Sequence, residues 1–502
     1  MRCWHKLCFL AAFALSFSLA GQSQATRIVD WGADVSSVDP RIGNGIKRLL
    51  GNVRMSHKNF TLTCDSAYFD ETINQFKGFS RVHIIKADTL NIYAKTLDYS
   101  GQTELAQLEG NVFMDNGKQT LKAPRLDYNM KEEIAYYFGG GQVLDSANTV
   151  ESFWGYYYTK LDQFVFKESV TFTNPDNTLI TDSLRYNSKT EAMSFEGPSQ
   201  IFSDSSYISC NRGVLDSKNR ISTFSKNVFM QAKQQNLRTD SLIYNQAGKF
   251  TNAYRNIEMR DTVENMIIRG QHLFYDEPNN LFRVTEDVLY IMTGEKDSLF
   301  LHADTLESSR EEVSKSRRIK AFPHVQFFRA DIQGRCDSLD YLVIDSVIRL
   351  YKEPLIWVEN NQLTSDSLGI FLAKKGINRM EMRNNALMVT REDSTLYNQI
   401  KGKLIKGFFK AEKLDRVDVT GNCESLYYPK DGIQIIGQNK ALCSNIRIYF
   451  VDKRIDRIAN IKDPDSKLTP IKDLGVKDMY LEGFKWLEDK RPITREDIRT
   501  WK

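Results

Sequence analysis

Leu179-Ile180-Thr181-Asp182-Ser183-Leu184-Arg185-Tyr186 changes its hydrophobic phase half-way along. Strand side chains alternate with a period of two, so Leu179 and Thr181 share one face. Continuing that alternation would bury Ser183 and Arg185, yet the apolar residues are Leu184 and Tyr186. The inward phase therefore slips by one residue across Asp182-Ser183. A strand does this at a bulge, where the backbone bends and re-aims its side chains. The stretch predicts a β-corner of the form apolar, x, small, Asp, Ser/Thr, Leu, x, Tyr. Asp suits the bend because its carboxylate accepts hydrogen bonds from backbone N–H groups leaving the ladder.

Copies of the corner run along the chain. They carry Cys64-Asp65-Ser66, Ala87-Asp88-Thr89, Thr239-Asp240-Ser241, Ala303-Asp304-Thr305, Cys336-Asp337-Ser338 and Ser365-Asp366-Ser367. Weaker copies place Pro124, Phe153, Asn211, Gln271, Glu424 and Ser444 at the Asp site. Positions 124, 153, 182, 211 and 240 are each 29 residues apart. A fixed period of this length predicts a stacked repeat. A second element, Asn-Val-x-Met/Phe, precedes most corners, as in Asn52-Val53-Arg54-Met55, Asn111-Val112-Phe113-Met114 and Asn227-Val228-Phe229-Met230. Polar turns such as Asp115-Asn116-Gly117 and Asn174-Pro175-Asp176-Asn177 fill the gap. Gly110 and Gly51, just before the Val strand, predict a second bend. The expected fold is all-β: antiparallel strands in two facing sheets, about 29 residues per repeat, each repeat adding roughly 10 Å of height. Residues 308–322 interrupt the pattern with a charged stretch, expected to be a solvated loop.

The first 25 residues have the layout of a cleaved signal peptide. Arg2 and Lys6 precede the apolar run Leu7–Leu19, and Ala20 or Ala25 ends a small-x-Ala site. Their removal lowers the formal charge from +4 to +2, and so near-neutral a chain lacks the basic face of a nucleic-acid binder. Five cysteines follow: Cys64, Cys210, Cys336, Cys423 and Cys443. All are read at the small position before a corner, as small buried hydrophobes. Only Cys423 and Cys443 lie in neighbouring copies, close enough to consider a disulfide.

Motifs of catalysis are absent. There is no Gly-rich phosphate loop, G-x-S-x-G, C-x-x-C or H-E-x-x-H. His57, His83, His272, His302 and His324 are scattered, with none at metal-ligand spacing. Carboxylates repeated at every corner read as architecture. No enzyme, cofactor or metal site is expected. Lys401–Lys410 and Arg317–Lys320 mix cations with apolar residues and suit either lipid phosphates or a solvated face. The interior is lined by Val, Met, Phe, Leu and Tyr, which fits a closed core or a long apolar groove.

Leu108-Glu109-Gly110-Asn111-Val112 and Thr181-Asp182-Ser183-Leu184-Arg185-Tyr186-Asn187 resemble the signature of the OstA-like family, which includes the periplasmic lipopolysaccharide-transport bridge protein. The resemblance covers most of residues 28–450. It implies a V of two antiparallel sheets, the β-taco or β-jelly roll, with lipid acyl chains inside. It also implies a non-catalytic periplasmic conduit carrying lipopolysaccharide or lipooligosaccharide from inner to outer membrane. The implied partners are an inner-membrane ATPase complex and an outer-membrane translocon barrel, met by edge-strand addition, with head-to-tail self-association. The groove lining would be Val112, Met114, Val170, Phe172, Leu184, Tyr186, Val228, Met230, Leu242, Tyr244, Val325, Phe327, Leu339 and Tyr341. A single family domain is far shorter, so three in tandem are expected, at 26–165, 166–307 and 308–461. A tail at 462–502 follows, with a helix start at Thr494-Arg495-Glu496-Asp497. No long C-terminal run of amphipathic strands marks a membrane barrel. Two other classes stay open: an exported scaffold or adhesin with a closed core, and a β-helical polysaccharide-active enzyme. The second should show a cluster of acidic or basic residues interrupting the repeat on one face, and none is found.

Overall fold

The structure is a computed structural model that describes residues 30–501, apart from 39–40, 44, 87–89, 295–296, 312–313, 315, 374–375, 412, 452–453 and the side chain of 454. The signal segment and the Ala87-Asp88-Thr89 copy lie outside the described residues. The fold is all-β, antiparallel strands in two facing layers. It divides into two compact units, Met1–Lys167 and Glu168–Lys502.

Each long strand bends at mid-length. Asn177–Asn187 pairs with Ala192–Ser203, and its register slips between Ile180 and Ser183. Leu179, Thr181 and Leu184 are buried while Ile180, Asp182 and Arg185 face out. The phase change read from the sequence is thus a bulge that carries one strand from one layer into the other. The same slip occurs in Phe60–Asp70 at Cys64-Asp65, in Ser206–Asp216 at Cys210-Asn211 and in Gln235–Asn245 at Thr239-Asp240.

The returning strands bend differently, through residues in the left-handed region. Gly51/Asn52, Gly110/Asn111, Gly139/Gly140, Lys226/Asn227, Arg255/Asn256 and Gly421/Asn422 all have positive φ. This is the second bend anticipated before the Val strand. Gly and Asn tolerate the conformation, which costs other residues roughly 1–2 kcal/mol.

Two more corners stand at residues that are not Asp. In Leu90–Ser100 the register slips between Tyr93 and Thr96, at Ala94-Lys95. Counting from Lys95 restores steps of 30 and 29 residues between Asp65 and Pro124. In Tyr397–Lys410 the slip lies at Gly402-Lys403, so Glu424 is no corner and Cys423 sits just past a left-handed bend. A further corner was not read from the sequence. The Asp34 N–H donates to the Gly51 carbonyl at 2.9 Å, between the short strands Asp30–Gly32 and Val35–Val38.

The corner carboxylates reach sideways to the next bend rather than back to their own ladder. Asp65 accepts from Ser80 and Arg81, Asp34 from Asn52 at 3.0 Å, Asp240 from Asn256 at 3.0 Å and Asp366 from Asn385 at 3.0 Å. The small residue before the corner serves the ladder instead. Thr239 Oγ1 donates to the Ser241 carbonyl at 3.2 Å, Ser365 Oγ to Ser367 at 2.9 Å and Cys64 Sγ to Ser66 at 3.2 Å. A Thr, Ser or Cys there satisfies the carbonyl that the bulge releases. Cysteine is therefore more than a small hydrophobe at this site.

All five cysteines are free, and Cys423 and Cys443 are direct cross-strand partners. Burial raises the thiol pKa to about 11 at Cys64 and Cys423 and to about 12 at Cys336. Their folded values lie above the ordinary 9, so folded thiols keep their protons where unfolded ones lose them. Their stabilising contribution is complete below pH 9 and declines as pH rises towards 11–12. We expect alkylation at pH 9 to leave these three unmodified in native protein and to reach them once denaturant is added. Modification of native Cys336 at the denatured rate would contradict its burial.

Between Arg317 and Ala373 the strands break outright at the bends, as in Arg317–Phe322 followed by Val325–Arg329. The expected loop at 308–322 is in part this strand. Ile319 is buried, while Arg318 holds Asp340 through two bonds of 2.8 and 2.6 Å. Arg317 pairs with Glu264. The tail has no α-helix among the described residues. Thr494-Arg495-Glu496-Asp497 leads into a single 3-10 turn, Asp497–Arg499.

Candidate functional site

One inward residue per strand stacks against its neighbours along each layer. In the second unit the run is Leu184, Phe195, Gly213, Phe224, Leu242, Ala253, Leu273 and Val284, each in register with the next. Gly213 lies between Phe195 and Phe224, and Ala253 between Leu242 and Leu273, small residues making room for large ones. The Phe195 ring occupies the space where a side chain on Gly213 would sit.

The residue four places after each corner reports how far the layers close. In the first unit this residue is Phe69, Tyr99, Tyr128 or Tyr157, and all are buried, with Tyr99 and Tyr128 at 0 % exposure. In the second unit it is Tyr186, Leu215, Tyr244, Tyr275, Ser308 and Tyr341, none of them fully buried. Burial returns at Ile370. The interior is filled between Asp65 and Tyr157 and open between Tyr186 and Tyr341.

Within the open stretch is a cavity of about 650 Å³. Its walls are apolar, with Met230, Leu237, Met259, Ile268, Tyr275 and Phe282 among them. Lys233, Gln235, Asp261, Glu264, Arg310 and Arg317 add polar and charged groups to the lining. Burial alone would raise the Asp261 carboxyl. Bonds from Gln235 (3.0 Å) and from the Glu264 and Val263 amides outweigh it and hold the pKa below the usual carboxylate range. A smaller cavity of about 90 Å³, lined by Leu306, Phe327, Leu339 and Tyr341, lies further along. A cavity lined by both apolar and charged groups suits an amphipathic ligand. Among the described residues no cluster of His, Cys, Asp or Glu could hold a metal ion, and no helix is long and apolar enough to cross a membrane.

A family model for OstA-like proteins matches residues 26–182 and again 168–240. Residues 26–240 are OstA-like. Both stretches that carried the resemblance, Leu108–Val112 and Thr181–Asn187, fall in this OstA-like region. The corner and bend continue beyond it to Ser444, and the large cavity straddles its end. Among solved structures, the chain is similar to LptH, the LptA homologous periplasmic component of the lipopolysaccharide transport device from Pseudomonas aeruginosa. The two share 11 % identity over 21 % of this chain and 79 % of LptH, with a TM-score of 0.20. No curated protein matches in sequence.

The fourteen residues expected to line a groove split into two groups. Val112, Met114, Val170, Phe172, Leu184, Val228, Leu242, Val325, Phe327 and Leu339 are buried. Tyr186, Met230, Tyr244 and Tyr341 are half-buried. Met230 lines the large cavity, and Phe327, Leu339 and Tyr341 line the smaller one. Val112 and Met114 belong to the filled stretch. Leu237, Met259, Tyr275 and Phe282 were not singled out from the sequence. Tyr275 was legible, four residues after Gln271 in the same phase as Tyr186 and Tyr244. Lys401 reaches Glu482 at 3.1 Å and Lys406 reaches Glu381 at 3.8 Å, so these cations are engaged within the chain.

Proposed function

We propose that this chain is a non-catalytic periplasmic conduit for lipopolysaccharide or lipooligosaccharide. It would take acyl chains into the open interior of the second unit and leave the sugars in water. The observation that carries this reading is the change at the residue four after each corner, from filled at Tyr99 and Tyr128 to open at Tyr186 to Tyr341. The OstA-like region supports it. Burial of acyl chain contributes about 0.8 kcal/mol per CH₂, and Lys233 and Arg310 of the cavity lining suit phosphate. Sheet edges at the two ends of the chain would add strands from an inner-membrane ATPase complex, an outer-membrane barrel or another copy. Val35–Val38 is one such edge, with Val35 and Val38 exposed. The three tandem domains belong to this reading.

A photocrosslinker at Tyr275 or Met259 in cells should yield lipopolysaccharide adducts, and one at Tyr128 should yield almost none. No adduct at either cavity position would rule out the conduit. The filled interior of the first unit favours a second reading for that segment, a closed-core scaffold. Adducts at Tyr128 equal to those at Tyr275 would remove it.

A further inference from the structure

The C-terminal tail runs along the outside of the second unit, held by glutamines at one recurring position. Gln333, Gln362 and Gln399 each lie four residues before a corner, at Asp337, Asp366 and Lys403. Gln399 donates to the Met479 carbonyl and accepts from the Leu481 N–H, both at 2.8 Å. Gln362 does the same to Lys485 and Leu487, at 2.6 and 2.7 Å. Each carboxamide thus reads a carbonyl and the N–H two residues on, as an adjacent strand would. Gln333 accepts both Nε and a terminal nitrogen of Arg491, at 2.9 and 2.6 Å. Gln362 and Gln399 are at most 1 % exposed beneath the tail. In the two repeats before Gln333 the same position is Phe300 and Ile267, and there the tail supplies Ile498 to a small apolar cluster. A second cluster holds Leu481 against Leu387, Val389 and Leu426.

We propose that this face is a peptide-recognition track, one site per repeat, and that the tail is its detachable occupant. Recognition is of backbone groups at alternate residues together with apolar side chains, so the track fits an extended segment of matching pattern. The tail of a second copy is such a segment, and exchange would link two chains. The inference is independent of what fills the interior.

Residues 471–473 are exposed, so a protease site inserted after Lys472 of the full chain separates the tail once folding is complete. The cleaved tail should remain bound on gel filtration and be displaced by an excess of synthetic peptide 474–502. A twin peptide N-methylated at Leu481 and Leu487 lacks the two donors and should compete about a hundredfold more weakly, tenfold per lost bond. Because the change is in the peptide, the protein's own folding is untouched. Failure of the peptide to displace the tail, release without rebinding, or equal competition by the methylated twin would each overturn the proposal.

Discussion

Gly155→Leu is expected to destabilise the first unit by about 3 kcal/mol, and Tyr137→Ala in the same chain should restore much of the loss. Gly155 lies two residues after the corner at Phe153, where most repeats carry Leu. It is directly opposite Tyr137, and a Cβ there would fall 2.2 Å from the ring. The ring also covers Gly141, and its hydroxyl meets Ser152 Oγ at 2.7 Å, so it has little room to move. Tyr137→Ala alone should cost roughly 3–5 kcal/mol for the vacated space. In the double variant the new leucine fills part of that space, and the two losses should fall short of additivity by at least about 2 kcal/mol. Thermal or urea unfolding of the four proteins checks this. Strict additivity would mean that ring and glycine are not alternative fillings of one place.

Met259→Glu should leave the protein folded and abolish lipid loading. Met259 is half-buried and faces the large cavity, so in the empty protein its carboxylate meets water. With acyl chains in place the same charge would be stripped of water, at a cost of several kcal/mol. That corresponds to at least about a hundredfold loss of affinity. Met114, at 3 % exposure in the filled stretch, gives the opposite result: Met114→Glu should lower the melting temperature sharply. Lipid phosphorus per mole of purified protein, with melting temperature alongside, measures both. Wild-type lipid content in Met259→Glu would exclude the cavity as the acyl site.

The corners were legible because two periodicities collide in a few residues: alternation sets one face, and the shift from Thr181 to Leu184 moves it. Corners lacking Asp were found only where the spacing pointed to them, and the corner at Lys95 has no Asp to mark it. The role of Asp was misread because its partner, a Ser, Asn or Arg at the next bend, is 15 to 19 residues away. Whether the interior is filled or open could not be read from Tyr128 and Tyr186. They occupy the same place in the motif, yet Tyr128 is fully buried and Tyr186 only half-buried. The tail was opaque because its partners are glutamines, which look like surface residues until something covers them.

The bends and hairpins have a consequence for how the molecule is made. Nearly every contact joins a strand to one just before or after it in sequence, and such local topologies fold rapidly and can grow from one end. A chain threaded across a membrane from its N-terminus could set down each rung as it emerges, without waiting for the remainder. The tail breaks this order. Arg499 reaches back 212 residues to Asp287, and Ile498 reaches back 172 to Gln326. It can close only on rungs that are already laid, so its docking marks a second unit complete from Asp287 onward.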